Sequence, residues 1–417
     1  MRRPRRGGVA ALAVIPLSLM ALFAYFIATY EGPLLPGDHA RPASQVAPPA
    51  LPAAPAVNCL GDADLQRLGW DPAALVAVFA YLEQLSSDSL MIVTRGETVA
   101  SFGDLAQPRP IHSMRKVLLS ALVGQHQGMG ARQIDLSATL AELGIDDMPD
   151  PLTAPQKQAT VLHLVKSVSG INHAAAAEGG LVAEKNRRLG KAENTPGTTW
   201  AYNNWDTNAL TTVFETRTGL SVADAFDAGI ANPLGLQDFT VAAVTYKAEP
   251  ALSQHRAVMF RMSARDLARF GGLYLDRGEV DGESILSASW IDRITTDYLE
   301  TGRDGLRHGH GYLWWIPGPG SGLPPGTFWA WGFGQQALFV VPAWRTVIVH
   351  QADMSAFMKN LRSSVGGGES DAEDAFEELA LSCLKPLAGE TQFCREDRFI
   401  LRGEFDRLLS LIVAARL

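Results

Sequence analysis

The chain has 417 residues, 47% of them apolar and 19% charged, which describes a globular protein with a substantial core and excludes a disordered or fibrous one. Its formal net charge is -8, and Arg2, Arg3, Arg5 and Arg6 supply four of the positive charges, so the remaining body is more acidic still. That balance argues against nucleic acid as a partner.

The four arginines precede "VAALAVIPLSLMALFAYFIATY", residues 9–30, a run of 22 uncharged residues. That length spans a bilayer as a helix, and no small-x-small cleavage site follows it. Residues 1–31 therefore read as a transmembrane signal anchor with its arginines in the cytoplasm. The expectation is an inner-membrane-anchored protein whose body faces the periplasm or exterior, or a secreted one if the segment is cleaved. Residues 32–58 are rich in Pro and Ala and read as an extended tether. The cysteines are Cys59, Cys383 and Cys394; whether Cys383 and Cys394 pair is left open. No Cys/His spacing suggests zinc, and neither metal nor cofactor is expected.

The folded body is expected over 59–385. "DLQRLGWDPAALVAVFAYLEQL" has helical spacing broken at Asp71-Pro72, with Asp71 as an N-cap. "SLMIVTRGETVASFGD" predicts two strands joined at Arg95-Gly96. An apolar helix follows from Ser113. A mostly helical subdomain then occupies about 125–250. Ser263 caps another helix in "SARDLARFGGLYLDRG". Strand signals return in "GHGYLWWIPG" and "GTFWAWGFGQQALFVVPAWRTVIVHQAD". An amphipathic helix over "DAEDAFEELALSCL" follows, and 386–417 form a helical C-terminal extension with a last helix from Glu404. Strands that come first and last imply an antiparallel or mixed sheet with an α-domain to one side, an α/β fold.

The chemistry-bearing stretch is "IHSMRKVLLSALVG", residues 111–124. Ser113 and Lys116 stand three apart, so on a helix they share a face. Serine needs a base within hydrogen-bond reach, and an apolar setting at the positive end of a helix favours an unprotonated amine. Ser382 and Lys385 repeat the spacing at an amphipathic helix end, so the spacing alone is not specific. A second constellation is "PGTTWAYNNWDTNAL", which offers the Tyr202 phenol and the Asn204 carboxamide together; the alternative is a capping Asn with a packing Tyr. A phenolate beside an ammonium is a competent base. A third is Trp331-Gly332-Phe333-Gly334, where glycines in a strand permit close backbone approach and an N–H aimed at an oxyanion. His112 reads as packing, His308 and His310 as loop residues, and Trp314-Trp315 as core or pocket lining.

Taken in order, the S-x-x-K, the Y-x-N and the Gly-containing strand resemble the serine β-lactamase-like superfamily. The match looks closest to its class C-type branch of class C β-lactamases, related esterases and 6-aminohexanoate-dimer hydrolases. "NPLGL", "SARDLARFGGLYLDRGE" and "GHGYLWWIPG" are similar to family segments too, and "SMRK" resembles the 6-aminohexanoate side. The resemblance implies a β-lactamase-like fold, an antiparallel sheet flanked by helices plus a mostly helical domain. It implies Ser113 as acylated nucleophile, Lys116 and Tyr202 sharing the base role, and Asn204 orienting Lys116 and substrate. Ser113 N–H and the backbone near Gly334 would bind the oxyanion. Trp331 stands where relatives often carry a cation for a substrate carboxylate. The implied substrate is therefore a small neutral ester or amide. The rival functions are a β-lactamase or D,D-peptidase-like enzyme and a non-catalytic cell-wall binding protein.

Overall fold

The computed structural model describes residues 57–178, 181–190, 194–353, 400 and 402–417. The chain opens with strand β1 (Val57–Cys59) and helices α1 (Asp62–Arg67) and α2 (Pro72–Leu82). The Asp71 side chain accepts from Ala73 N at 2.9 Å and Pro72 occupies the first helical turn, the capping chemistry expected there. β2 (Ser89–Thr94) and β3 (Glu97–Gly103) form a hairpin whose two turn residues, Arg95 and Gly96, both have positive φ. β4 (Arg109–Pro110) leads into a single 3-10 turn, His112–Met114, and then helix α3 (Arg115–His126).

The middle of the chain is loop-rich and carries α4 (Val161–Val165), α5 (Val182–Leu189), α6 (Trp205–Thr218) and α7 (Val222–Phe226). Thr160 and His163 close a reciprocal capping box on α4, and Gly219 ends α6 in the left-handed conformation. β5 (Val244–Glu249) and β6 (Ser253–Met262) pair with each other, and β4 joins the far side of β6. Helix α8 (Ala264–Leu275) follows, with Ser263 capping the N–H of Asp266. Then come the small hairpin β7 (Glu279–Val280) and β8 (Glu283–Ser284), helix α9 (Ala288–Thr296) and β9 (Leu299–Glu300). The last strands are β10 (Gly309–Gly311), β11 (Trp314–Ile316), β12 (Phe328–Gly332), β13 (Gln336–Val341) and β14 (Thr346–Gln351). Helix α10 (Arg402–Ala414) ends the described chain.

Nine strands form one sheet in the order β1-β3-β2-β14-β13-β12-β11-β10-β9, every neighbour antiparallel. The early hairpin meets the late strands at β2–β14, with Leu90 opposite His350 and Ile92 opposite Ile348. The period of two in the strands sorts side chains into two cores. Leu338, Val340, Val347 and Val349 face one cluster, built with α3, α6 and α8. Ala337, Phe339, Val341 and Ile348 face the other, built with α1, α2 and α10. Trp314 and Trp315 are adjacent and separate in the same way, Trp314 to the first cluster and Trp315 to the second.

Several expectations need correction. The span over 9–30 lies outside the described residues, and among those described no helix is long and apolar enough to cross a membrane. The membrane-anchored localisation rested on that segment alone and is withdrawn. Val57 and Asn58 belong to β1 rather than to a tether. Ser113 sits in a 3-10 turn ahead of α3, not in its first α turn. His310 is a strand residue rather than a loop residue. Cys383, Cys394, Ser382, Lys385 and the helix expected over 371–384 lie outside the described residues.

Candidate active site

Ser113 is held from both sides. The N–H of Ile111 donates to Phe260 O of β6 at 3.1 Å, and the N–H of Met114 returns to Ile111 O at 3.0 Å. His112 takes φ 47°, an uncommon backbone state for a residue with a side chain, at the start of the 3-10 turn that carries Ser113. On the far side the end of β12 comes close: a Cβ added at Gly332 would stand 2.4 Å from the Ile111 carbonyl oxygen. Glycine is required there by that approach. Phe333, next along, sets its ring against His112, with centroids 5.8 Å apart. Gly334 and Gln335 then turn the chain into β13, both at positive φ.

Helix α3 is apolar on all sides, and its residues 115–124 are all buried. It therefore carries Arg115 and Lys116 into the interior, 2% and 1% exposed. Lys116 Nζ lies 3.3 Å from Ser113 Oγ and donates to Asn204 Oδ1 at 2.5 Å. It also sits over the Tyr202 ring, 4.5 Å from the centroid. The Ser113 hydroxyl acts on the Tyr202 phenol and lowers its pKa. The sequence-expected group of Ser113, Lys116, Tyr202 and Asn204 is thus brought together. Gly332 lies against the Ile111 carbonyl, Trp331 shares a buried apolar cluster with Tyr202, and Gly334 lies in the turn beyond.

The two asparagines divide the work that the sequence left ambiguous. Asn203 Oδ1 accepts from Asp206 N at 2.7 Å and so serves the start of α6, while Asn204 turns its carboxamide to Lys116. The Asn204 amide nitrogen donates to Ala177 O. That carbonyl belongs to a loop held by a buried ion pair between Glu178 and Lys185, the latter also donating to His173 O. Asn204 is therefore fixed at both ends.

Electrostatics separate the two candidate bases. Burial holds the Lys116 amine well below its usual range, the neighbouring Arg115 charge adds to this, and Glu178 opposes it. Burial pushes the Tyr202 phenol up to about 12, against the lowering effects of Ser113, Arg115 and Arg307. The two shifts run in opposite directions: burial disfavours the charged form of each group, the ammonium of Lys116 and the phenolate of Tyr202.

Three further residues stand at the site without having been given a role there by sequence reasoning. His310 is fully buried, its ring 5.5 Å from Tyr202 and 4.9 Å from Trp315, and neither ring nitrogen has a partner among the described residues. Burial above all brings it down to about 3, so it is neutral. It pairs with Trp315 across a two-residue turn, Tyr312-Leu313, in which both residues have positive φ. Ser120 of α3 holds that turn by donating to Tyr312 O at 2.7 Å. Arg307 places its guanidinium 5.2 Å over Trp331 and 6.0 Å from Trp315, so a cation does stand at the position where the sequence shows tryptophan. Arg115 is the third. The flanking glycines of His310 were its only signal in sequence. Arg307 and Arg115 had none, since arginine ordinarily reads as surface. Among the described residues no cluster suited to a metal ion is present.

A large antiparallel sheet flanked by helices, with a serine turn feeding a buried lysine helix beside it, defines an α/β protein of the β-lactamase-like fold. The chain belongs to the beta-lactamase family, whose model matches residues 75–352. That family consists mostly of serine hydrolases and includes non-catalytic members. Similar solved structures include a Bacillus anthracis protein described as a candidate 6-aminohexanoate-dimer hydrolase. It is 21% identical, with 73% of this chain and 81% of that one covered and a TM-score of 0.50. SurE is 18% identical over 76% of this chain and 77% of its own, at a TM-score of 0.52. A candidate beta-lactamase from Bacteroides dorei is 13% identical over 68% and 91%, at 0.50. At these identities the likeness is one of fold. No curated protein matches the sequence.

Proposed function

We propose that the protein is a serine hydrolase that cleaves a small ester or amide through an acyl-enzyme on Ser113. The observation that carries this reading is the Lys116 amine 3.3 Å from Ser113 Oγ, desolvated and fixed by Asn204. A neutral amine at that distance takes the Ser113 proton as Oγ attacks the substrate carbonyl carbon. The N–H groups of Ser113 and of the turn near Gly334 receive the oxyanion. The Tyr202 phenol, under the Lys116 amine, relays the proton from the Lys116 ammonium to the leaving oxygen or nitrogen as its bond to carbon breaks. Water then attacks the acyl carbon, gives its proton back along the same path, and frees Ser113.

One observation favours a second reading, a penicillin-recognising enzyme: the buried Arg307 over Trp331 puts a positive charge behind the site, of the sign that would attract a substrate carboxylate. The test is a parallel assay on short p-nitrophenyl esters, linear amides and nitrocefin, with fluorophosphonate labelling alongside. Ester or amide turnover that vanishes in Ser113→Ala, together with loss of labelling, is expected. Nitrocefin turnover alone transfers the assignment to the second reading. Labelling that persists at its full rate in Ser113→Ala refutes the nucleophile.

A further inference from the structure

Arg115 is out of place by the ordinary rules of protein interiors. It is 2% exposed, and the only hydrogen bond of its guanidinium among the described residues runs from Nη2 to the neutral Asn208 Oδ1 at 3.3 Å. Its Nη1 is buried without a partner, and no carboxylate lies within ion-pair distance of it among those residues. A buried guanidinium normally has a carboxylate and several acceptors, because removing it from water is costly and it does not give up its proton. Its sequence neighbour Lys116 is buried as well, so two cationic side chains enter the protein at the start of the same helix. That helix start carries the positive end of the macrodipole, which adds to the repulsion.

We propose that Arg115 is a positioning residue that keeps the Lys116 amine free of a proton by holding a permanent, desolvated positive charge beside it. This rests on the reading of Lys116 as the general base. Two cations in one dry site cannot both stay charged. Arginine keeps its charge, so the lysine is the group that yields. The same charge steadies Tyr202 whenever the phenol begins to lose its proton, since the two attract.

The other ionisable groups around Lys116 do not replace this effect. Glu178, on the loop beside it, pulls towards the ammonium but is itself committed to Lys185. His310, from β10, is neutral, and Tyr202 is a phenol at rest. Arg307 acts on Tyr202 from the strand side. His112 feels Arg115 as well, and burial brings it down to about 4.

The test uses the described activity or, failing a substrate, the rate of fluorophosphonate labelling at Ser113, each across pH 4–10. In Arg115→Met and Arg115→Gln the acid limb of kcat/KM, or of the labelling rate, is expected to move to higher pH by one unit or more. The same move is expected in a His112→Asn background, which removes the imidazole as its source. Both variants are expected to melt no lower than the parent, because they relieve a buried charge. A uniform fall in rate with the acid limb unmoved overturns the proposal, as does a large loss of melting temperature in both variants, which would make Arg115 a structural residue. Labelling that survives Ser113→Ala instead defeats the hydrolase reading itself, so the two failures are distinguishable.

Discussion

Gly332→Ala tests the contact on which the serine turn depends. The substitution is sterically pure, since Gly332 is not among the glycines at positive φ. The new Cβ would stand 2.4 Å from the Ile111 carbonyl oxygen, with Gln336 Cβ at 3.0 Å. A carbon and a carbonyl oxygen approach no closer than about 3.3 Å at ease. Backbone must therefore separate by ~0.9 Å, and the segment pushed is the one that carries His112 and Ser113. Overpacking of this kind costs about 1–3 kcal/mol. A displacement of about 1 Å at reacting groups costs roughly 100-fold in rate. Fluorophosphonate labelling measured beside a urea melt is the assay, with Gly272→Ala as control. Gly272 lies in α8 with nothing near its Cβ position, and its replacement is expected to stabilise by about 0.5–1 kcal/mol. Wild-type labelling together with wild-type stability in Gly332→Ala would show that β12 does not press on the serine turn, and the positioning argument would fail.

Two further outcomes follow from buried charge. Lys185→Met leaves Glu178 without its cation and is expected to cost about 3–5 kcal/mol in urea unfolding. Labelling should fall further than stability alone predicts, because Ala177 O no longer holds Asn204; an unchanged melt would refute the ion pair. Burial raises Asp206 to about 7, against the hydrogen bonds from Ser169 and Asn203, so the folded state keeps a proton that the unfolded chain has lost by about pH 5. Its contribution to stability is therefore full below about pH 4 and declines as pH rises towards 7, by on the order of 4 kcal/mol. Asp206→Asn is expected to flatten that decline in melts taken from pH 4 to 8, and equal slopes in variant and parent would reject it.

Local chemistry was legible where one residue decides an outcome. Asp71, Ser263 and Arg95-Gly96 announced their caps and turns, and the apolar run around "ALFVV" announced a strand. Ser113, Lys116, Tyr202 and Asn204 were legible through their motifs, and the structure gathers them in one place. The upward shift of the Tyr202 phenol was not, because it depends on how dry the site is, and Trp200, Trp315 and Trp331 arrive there from distant segments. Arg115 shows the same limit from the other side. Nothing in S-M-R-K says which of the two cations faces water, and the answer is neither. Trp331 argued for an uncharged neighbourhood, whereas Arg307 reaches it from 24 positions earlier in the chain.

The pairing of Thr94 with Thr346 sets a timetable for biosynthesis. At about 5–20 residues per second, the ribosome delivers β14 roughly 12–50 s after β2. Throughout that interval the leading hairpin has one bare margin, with Leu90, Ile92 and Val93 unsheltered. The nascent chain consequently invites chaperone attendance, and any pause in translation before codon 346 lengthens its exposure to mispairing.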